Sequence, residues 1–467
     1  MSILEKYSLK EICDFQNGFA FKNEDYIEKN DDALEVFRMG YINKGGGYKD
    51  DSSPVFIPKS YPKNLEKYLL LEGDIAMAMT DMKNSMAILG YSARIPTSNR
   101  FVLNQRVGRI RVIKKDLVDE KYLYYFMNSK EYILSLQSKS NSGVQVNLGT
   151  NAIKDSIIFL PSLQRQKYVS DILYTLDEKI ALNTQINQTL EQIAQTIFKS
   201  WFIDFDPVHA KANALASGQA AEQATQAAMS VISGKNTQEL HRLQTANPEQ
   251  YQQLWEIAEA FPSGVDEEGV PRGWEQTTLS EVCSMKNGYA FKSSDWTEEG
   301  IPVIKIGSVK PMIVEVDGNG FVDEEHSVLH SEFLLTEGDI VVGLTGYVGE
   351  VGRIPQGRTA MLNQRVAKFI PNKLNEQQDY YSFVYCLVRD KSFKAFAETN
   401  AKGSAQANIS TKELLNYSII LASSEIQMKF ESLIKPLLDK ILVNSGNNEN
   451  LSKVRDLLLP KLLSGEV

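Results

Sequence analysis

The chain writes the phrase LNQRV twice, at 103–107 and at 362–366, and so sets Arg106 and Arg365 in the same surroundings. A guanidinium holds five N–H donors in a planar fork and stays charged near neutrality, which suits bidentate binding of a phosphate or of a guanine edge. A second phrase is also doubled: NGFAFK (17–22) ends in Lys22, and NGYAFK (287–292) ends in Lys292. An Asn-Gly turn that delivers a lysine offers a point charge for a phosphate. The alternative for the arginines is internal, each pairing with the carboxylate of a Gly-Asp turn, Asp74 in the first copy and Asp339 in the second. A group shared by both copies is poorly suited to reading two different sequences, whereas phosphate is common to all of them.

Residues for catalysis do not fall into working patterns. Asn247-Pro248 continues with Glu249, so no Asn-Pro-Pro-aromatic motif for amino-methyl transfer is present. The chain has no GxxxxGK[ST] phosphate loop and no Gly-rich cofactor loop after a strand. DGNGFVDEEH (317–326) faintly resembles a calcium loop, but Phe321 occupies a ligand position. His326 and His330 are spaced for one helix face, as metal ligands can be, but a solvated loop or helix explains them far better than a metal does. Cys13 and Cys283 fall at equivalent places in the two copies and read as small buried apolar residues rather than reactive thiols. We therefore expect no catalytic residue, no metal site and no cofactor bound by this chain.

Those phrases must be positioned by folded domains. A length of 467 residues suggests two to four domains, and 43% hydrophobic content supports packed cores. No run of 18 apolar residues predicts a membrane helix, and MSILEKYSLKEICDF lacks the basic-then-apolar pattern of a signal peptide. Three cysteines, an odd number, suit a reducing cytoplasm. The net charge is −9, yet residues 206–271 alone hold nine acidic and three basic groups, and residues 1–160 hold 22 basic and 20 acidic. Most of the acidity is local, with a smaller share in the later domain, so the global charge does not exclude a polyanionic partner for a local basic face.

The repeat organises the chain. YSLKEICDFQNGFAFKNEDY (7–26) aligns with TTLSEVCSMKNGYAFKSSDW (277–296) with nine identities, and LLEGDIAMAMT (70–80) aligns with LTEGDIVVGLT (335–345). SGVQVNLGT (142–150) resembles KGSAQANIST (402–411). This is a whole-domain duplication. Within each copy IAMAM or IVVGL and VGRIRVI or VAKFI read as strands, while YLYYFMNSKEYILSLQ (122–137) and YYSFVYCLVRDKSFKAF (380–396) have helical spacing. Two α+β domains follow, at 1–160 and 272–423. Sequence selectivity belongs where the copies differ. GYINKGGGYKD (40–50) offers Lys44, Tyr48 and Lys49, against Lys305 and Lys310. TDMKNSMA (80–87) offers Lys83 and Asn84, against Tyr347 of TGYVGEVG (345–352). LQSKSNSGVQVN (136–147) and TNAKGSAQAN (399–408) offer Lys139, Asn141 and Gln145, and Lys402, Ser404 and Gln406.

A long helix follows each domain, at 161–205 and at 424–467. Leu176, Ile180, Asn183, Ile186, Leu190, Ile193 and Ile197 step by threes and fours, as do Ile434, Leu437, Ile441, Asn444, Asn448, Leu451 and Leu458. A 3-4 step is a coiled-coil seam, and asparagine within a seam fixes register at a cost in stability. Helices of about 40 residues span roughly 60 Å, enough to hold two domains about one turn of duplex DNA apart. Antiparallel pairing would relate the domains by a pseudo-two-fold axis. Gly446 interrupts the second seam and suggests a bend. Residues 206–271, rich in Ala, Gln and Ser, read as a linker with weak helices.

Three segments carry a resemblance. LPSLQRQKYVSDILYTLDEKIALNTQINQTLEQIAQTIFKSWFIDFDPVHAKA (160–212), FPSGVDEEGVPRGWEQTTLSEVC (261–283) and SKVRDLLLPKLLSGEV (452–467) resemble specificity subunits of type I restriction–modification systems, the HsdS family. The resemblance covers essentially the whole chain; the long 206–271 segment departs from compact members. It implies two homologous target-recognition domains in an α+β fold, separated by two long antiparallel coiled-coil helices in a pseudo-two-fold arrangement. It further implies a non-catalytic subunit in the cytoplasm that reads a bipartite site in double-stranded DNA. Two modification subunits would dock on the helices and domains, and restriction subunits would join them. S-adenosylmethionine, ATP and Mg2+ would belong to those partners.

Overall fold

The computed structural model of the chain describes residues 4–51, 53–82, 86–141, 145–403 and 407–466. The chain forms two compact units, Met1–Ile180 with Asn450–Val467, and Ala181–Glu449. The fold is α+β, with a mixed domain in each unit and two long helices, Leu163–Phe202 and Ser424–Ser464.

In the first unit Cys13–Asn17 pairs antiparallel with Val107–Val112, which continues to Ile75–Ala78 and Ser92–Arg94. In the second unit Cys283–Asn287 pairs with Val366–Pro371, which continues to Ile340–Gly343 and Val351–Arg353. Both copies start from the same closing pair: Glu5 opposes Leu160 in one, and Glu275 opposes Leu421 in the other. The buried runs IAMA and IVVG are hydrophobic without alternation because both faces of the strand are covered. Each helical stretch divides in two. Glu120–Met127 gives way to Lys130–Gln137 at Ser129, and Tyr381–Arg389 to Lys391–Asn400 at Asp390, whose carboxylate caps the new helix through the Ser392 N–H. Cys13 and Cys283 are buried, and burial pushes both thiols up to about 12. They are packing residues.

The long helices run antiparallel in the second unit. Asn183 Nδ2 donates to Asn448 Oδ1 at 2.9 Å, and Asn444 Nδ2 donates to Asn187 Oδ1 at 2.8 Å. The asparagines thus hold register as their seam positions suggest. The seam itself differs in phase from the apolar reading. Ile186 and Ile193 are 36% and 42% exposed, while Asn187, Glu191, Ala194 and Phe198 are buried. Leu190, Ile197 and Leu437 are partly buried against the core, and Ile434, Leu438 and Ile441 are fully buried. Hydrophobic periodicity favoured the isoleucines because it has no means to credit a polar side chain that finds its partner inside. In the first unit, Leu462 is buried in the domain core and Leu458 packs beside it, and Arg455 Nη1 reaches Asp177 at 2.7 Å. The helix runs unbroken through Gly446, where a Cβ would lie 3.0 Å from Gln356 Cβ.

Residues 206–260 form four helices, Asp206–Ala216, Ala221–Ser233, Thr237–Ala246 and Pro248–Ala260. Ala228, Met229, Leu240 and Ala258 make a small core of their own. Buried Lys211 donates from Nζ to the carbonyls of Glu259 at 3.0 Å and Phe261 at 2.6 Å, capping the last helix. The segment is therefore a packed insert, more ordered than a linker with weak helices. Its alanines cost little side-chain entropy in a helix, and Asn236 and Asn247 supply N-caps. The phrase WFIDFDPV anchors it: Trp201, Phe202 and Phe205 pack with Phe261, Trp274 and Phe430, and Phe205 takes a left-handed backbone ahead of Pro207.

Candidate nucleic-acid interface

The two doubled phrases meet in each domain. Phe19 N–H donates to Leu103 O at 2.9 Å, and Gln105 N–H donates to Phe19 O at 2.7 Å. In the second copy Tyr289 N–H donates to Leu362 O at 2.9 Å, and Gln364 N–H donates to Tyr289 O at 2.8 Å. Glycine is required at the crossing, because a Cβ on Gly18 would lie 1.8 Å from Asn104 O and one on Gly288 would lie 2.0 Å from Asn363 O. The aromatics that follow fill small cores, Phe19 and Phe21 with Tyr61, and Tyr289 and Phe291 with Phe333 and Trp296. The Asn-Gly phrase therefore holds the LNQRV turn in place.

That turn carries the arginines outward. Arg106 and Arg365 are exposed, and both have φ of 72°, a left-handed conformation that side chains seldom adopt. The internal pairing is absent from both copies. Asp74 binds Arg111 at 2.6 and 2.7 Å, and Asp339 binds Lys368 at 2.7 Å. Lys368 is the counterpart of Arg109, two positions before Arg111 on the same strand, so the two copies pair this carboxylate from different positions. Among the described residues neither Arg106 nor Arg365 forms an ion pair. A strained, exposed, cationic turn repeated in both copies is a feature that packing alone does not demand.

The same hydrogen bonds tie each turn to two loops that differ between the copies. Met79 N–H donates to Arg106 O, and Leu148 N–H donates to Met79 O, each at 2.8 Å. Leu344 N–H donates to Arg365 O at 2.8 Å, and Ile409 N–H donates to Leu344 O at 2.9 Å. Thr80 Oγ1 then donates to Asn147 Oδ1, and Thr345 Oγ1 to Asn408 Oδ1, both at 2.8 Å. The structure thus joins Met79 and Thr80 to Asn147 and Leu148, and Leu344 and Thr345 to Asn408 and Ile409, beside one shared arginine in each domain.

The remaining candidates divide. Lys139 and Asn141 are exposed on the first domain's loop, and Asn141 Oδ1 also accepts from Asn147 N–H at 3.0 Å. Tyr347 is 67% exposed on the second domain's loop. Lys402 is exposed and binds Glu413 at 2.7 Å, which with the Ser410 cap draws the Glu413 carboxyl down to about 2. Lys22 is exposed and pairs with Glu24 at 3.1 Å; Lys292 is exposed. Lys44 and Lys49 are exposed on a loop whose Gly47 N–H donates to Ser92 O at 2.9 Å. Tyr48 turns inward: its ring stacks near Tyr41 and its hydroxyl donates to Asp50 at 2.6 Å. Lys305 lies 3.9 Å over the Trp296 ring, and Lys310 is exposed. Lys83, Asn84, Ser404, Gln406 and the side chain of Gln145 lie outside the described residues. His326 is held by Asp323 at 2.7 Å, and His330 stacks on Tyr289 at 4.1 Å between ring centres. Sequence reasoning missed the coupling of the two doubled phrases; their constant separation from the same strand pair was the available signal.

On the long helices, Leu182, Ile186 and Ile193 form an exposed apolar stripe in the second unit, and Val454 and Leu457 are exposed in the first. No helix among the described residues is long and apolar enough to cross a membrane.

A family model described as the type I restriction modification DNA specificity domain matches residues 1–192 and again residues 271–453. The specificity subunit of the type I restriction enzyme HindI from Haemophilus influenzae is 34% identical over 357 residues, which cover 74% of this chain and 76% of that one. The specificity subunit of the MjaIX type I restriction enzyme from Methanocaldococcus jannaschii is 27% identical, covering 83% and 77%. The crystal structure of a type I restriction–modification S subunit from M. genitalium covers 99% of this chain and 96% of its own at 16% identity, with a TM-score of 0.50, a likeness of fold.

Proposed function

Because the chain belongs to the family of type I restriction–modification DNA specificity subunits, we propose that each of its two domains reads one half of an asymmetric, bipartite site in double-stranded DNA, with the long helices setting the gap. Within that family its role is sequence recognition in a multisubunit complex, and it performs no catalysis itself. The observation that carries the two-halves reading is the repeated exposed arginine, bound through the same backbone hydrogen bonds to loops that differ between the copies. A shared cation anchors the phosphate backbone, which is alike at every site, and the divergent loops beside it meet base edges. Arg106 and Arg365 are the anchors. Lys139, Asn141, Lys83 and Asn84 serve one half-site; Tyr347, Lys402, Ser404 and Gln406 serve the other.

Two modification subunits dock on the long helices, and the exposed apolar positions Leu182, Ile186, Ile193, Val454 and Leu457 support that assignment. Restriction subunits join the same complex. S-adenosylmethionine, ATP and Mg2+ are bound by those partners, and the complex works in the cytoplasm.

The test is single-molecule methylome sequencing of cells that express the chain with its modification subunit. The expected result is methylation of one asymmetric bipartite motif, and exchange of residues 1–160 for another such domain should change one half only. A change in both halves, or robust methyl transfer by the chain without partners, would refute the scheme.

A further inference from the structure

The loop carrying Tyr347 is fastened to the first long helix by a chain of charges confined to the second unit. Glu191, on that helix, is buried; its Oε2 accepts from the Tyr385 hydroxyl at 2.8 Å and its Oε1 from Arg389 Nε at 3.1 Å. The other side of the same guanidinium faces Glu350, with Nη1 at 3.6 Å from Oε1. Glu350 also binds Lys394 Nζ at 2.8 Å. Its backbone carbonyl accepts from Gly343 N–H at 3.0 Å and closes the loop that begins at Thr345. Arg389 is therefore held between one carboxylate of the rod and one of the reading loop.

The first domain solves the same place with neutral groups. Asn128, which stands before the second short helix as Arg389 does, accepts from Ser92 N–H at 2.9 Å and donates to Ser92 O at 3.3 Å. The position equivalent to Glu350 is Tyr91. So the ionic fastening is present in the second domain and has no counterpart at these two positions of the first. A buried carboxylate bonded to both a tyrosine and an arginine is costly to leave half-paired, so removing one link shifts the others. The link furthest from the helix is the loop.

We propose that Glu191 is a positioning residue for recognition of the second half-site, acting through Arg389 and Glu350 on the loop that presents Tyr347. The proposal rests on the two-halves reading above and adds that a side chain of the rod, outside the domain, tunes which bases that domain accepts.

The experiment uses the full complex with its modification subunits, methylome sequencing as the readout, and two variants, Glu191→Gln and Glu350→Gln. Glu191→Gln keeps an acceptor for the Tyr385 hydroxyl but removes the charge that holds Arg389. Glu350→Gln acts at a half-buried position and leaves the rod intact. For both, the expected result is a loss of discrimination of several-fold at bases of the second half-site, with the first half-site and the spacer length unchanged. Unchanged discrimination at the second half-site in either variant, or an equal loss at both halves in Glu191→Gln, would overturn it. If Glu191→Gln fails to assemble, Glu191→Asp, which keeps the charge but shortens its reach to Arg389, takes its place with the same expected and overturning results. Failure of the wild-type complex to methylate any bipartite motif would instead sink the underlying reading.

Discussion

Replacing Arg106 by glycine should stabilise the protein while weakening its hold on DNA. The backbone at Arg106 has φ of 72°. For a residue with a Cβ, that left-handed conformation costs about 1–2 kcal/mol. Glycine removes this strain but adds about 0.5–1 kcal/mol of unfolded-chain entropy. The net gain is about 0.5–1 kcal/mol, or a rise in melting temperature of about 1–4 °C for a unit of this size. The exposed guanidinium forms no ion pair among the described residues, so its loss subtracts little. Binding should move the other way. One phosphate contact fewer lowers the slope of log K against log salt by about 0.9. Calorimetry and a salt titration of duplex binding by the assembled complex supply both numbers. Arg106→Ala separates the two effects, since alanine keeps the strain and loses the charge: the same fall in slope, without the gain in stability. Arg365→Gly should repeat the result. A melting temperature that falls in both glycine variants, with an unchanged salt slope, would refute the view that these turns hold strain for a contact with phosphate.

Three further expectations concern the fold. Gly18→Ala and Gly288→Ala each drive a Cβ into a backbone carbonyl, at 1.8 and 2.0 Å, and should cost more than about 3 kcal/mol or abolish soluble expression; a denaturant midpoint within error of wild type would contradict the crossing. Burial raises the Glu431 carboxyl from 4.5 to about 7, so its protonated form favours folding fully below about pH 4.5, and that contribution, of order 3 kcal/mol, disappears as pH rises through 7. Glu431→Gln should therefore flatten the fall in melting temperature between pH 5 and 8, and parallel curves would count against it. Asn444→Leu strands Asn187 in the helix interface and should destabilise by about 1–3 kcal/mol; adding Asn187→Leu should recover most of that loss in a double-mutant cycle while loosening register.

Much of this architecture was legible from repetition. The doubled phrases located both domains, and the paired asparagines located the helix interface, because each is a local pattern that survives without knowing its neighbours. What resisted reading depended on partners distant in sequence. Asp74 looked available to Arg106, yet Arg111 lies beside it across the sheet. Ile186 and Ile193 looked like seam residues, yet the buried positions belong to Asn187 and Glu191, whose polar atoms are satisfied by Asn444, Tyr385 and Arg389. Tyr48 looked like a surface contact, yet its ring packs inward beside Tyr41. Composition suggested a linker at 206–271, where residues 206–260 form a packed insert anchored by buried Lys211 and the aromatic phrase before it.

The division of the chain into units has a consequence for synthesis. The second unit, 181–449, is one unbroken stretch, whereas the first combines 1–180 with 450–467. Leu462 completes the first unit's core. A ribosome working from the N-terminus therefore makes the first unit's domain early but delivers its last core residue late, after the second unit has all its residues. The domain synthesised first is the one finished last, and a chain broken off before residue 450 carries a complete second unit beside a first with a gap in its core.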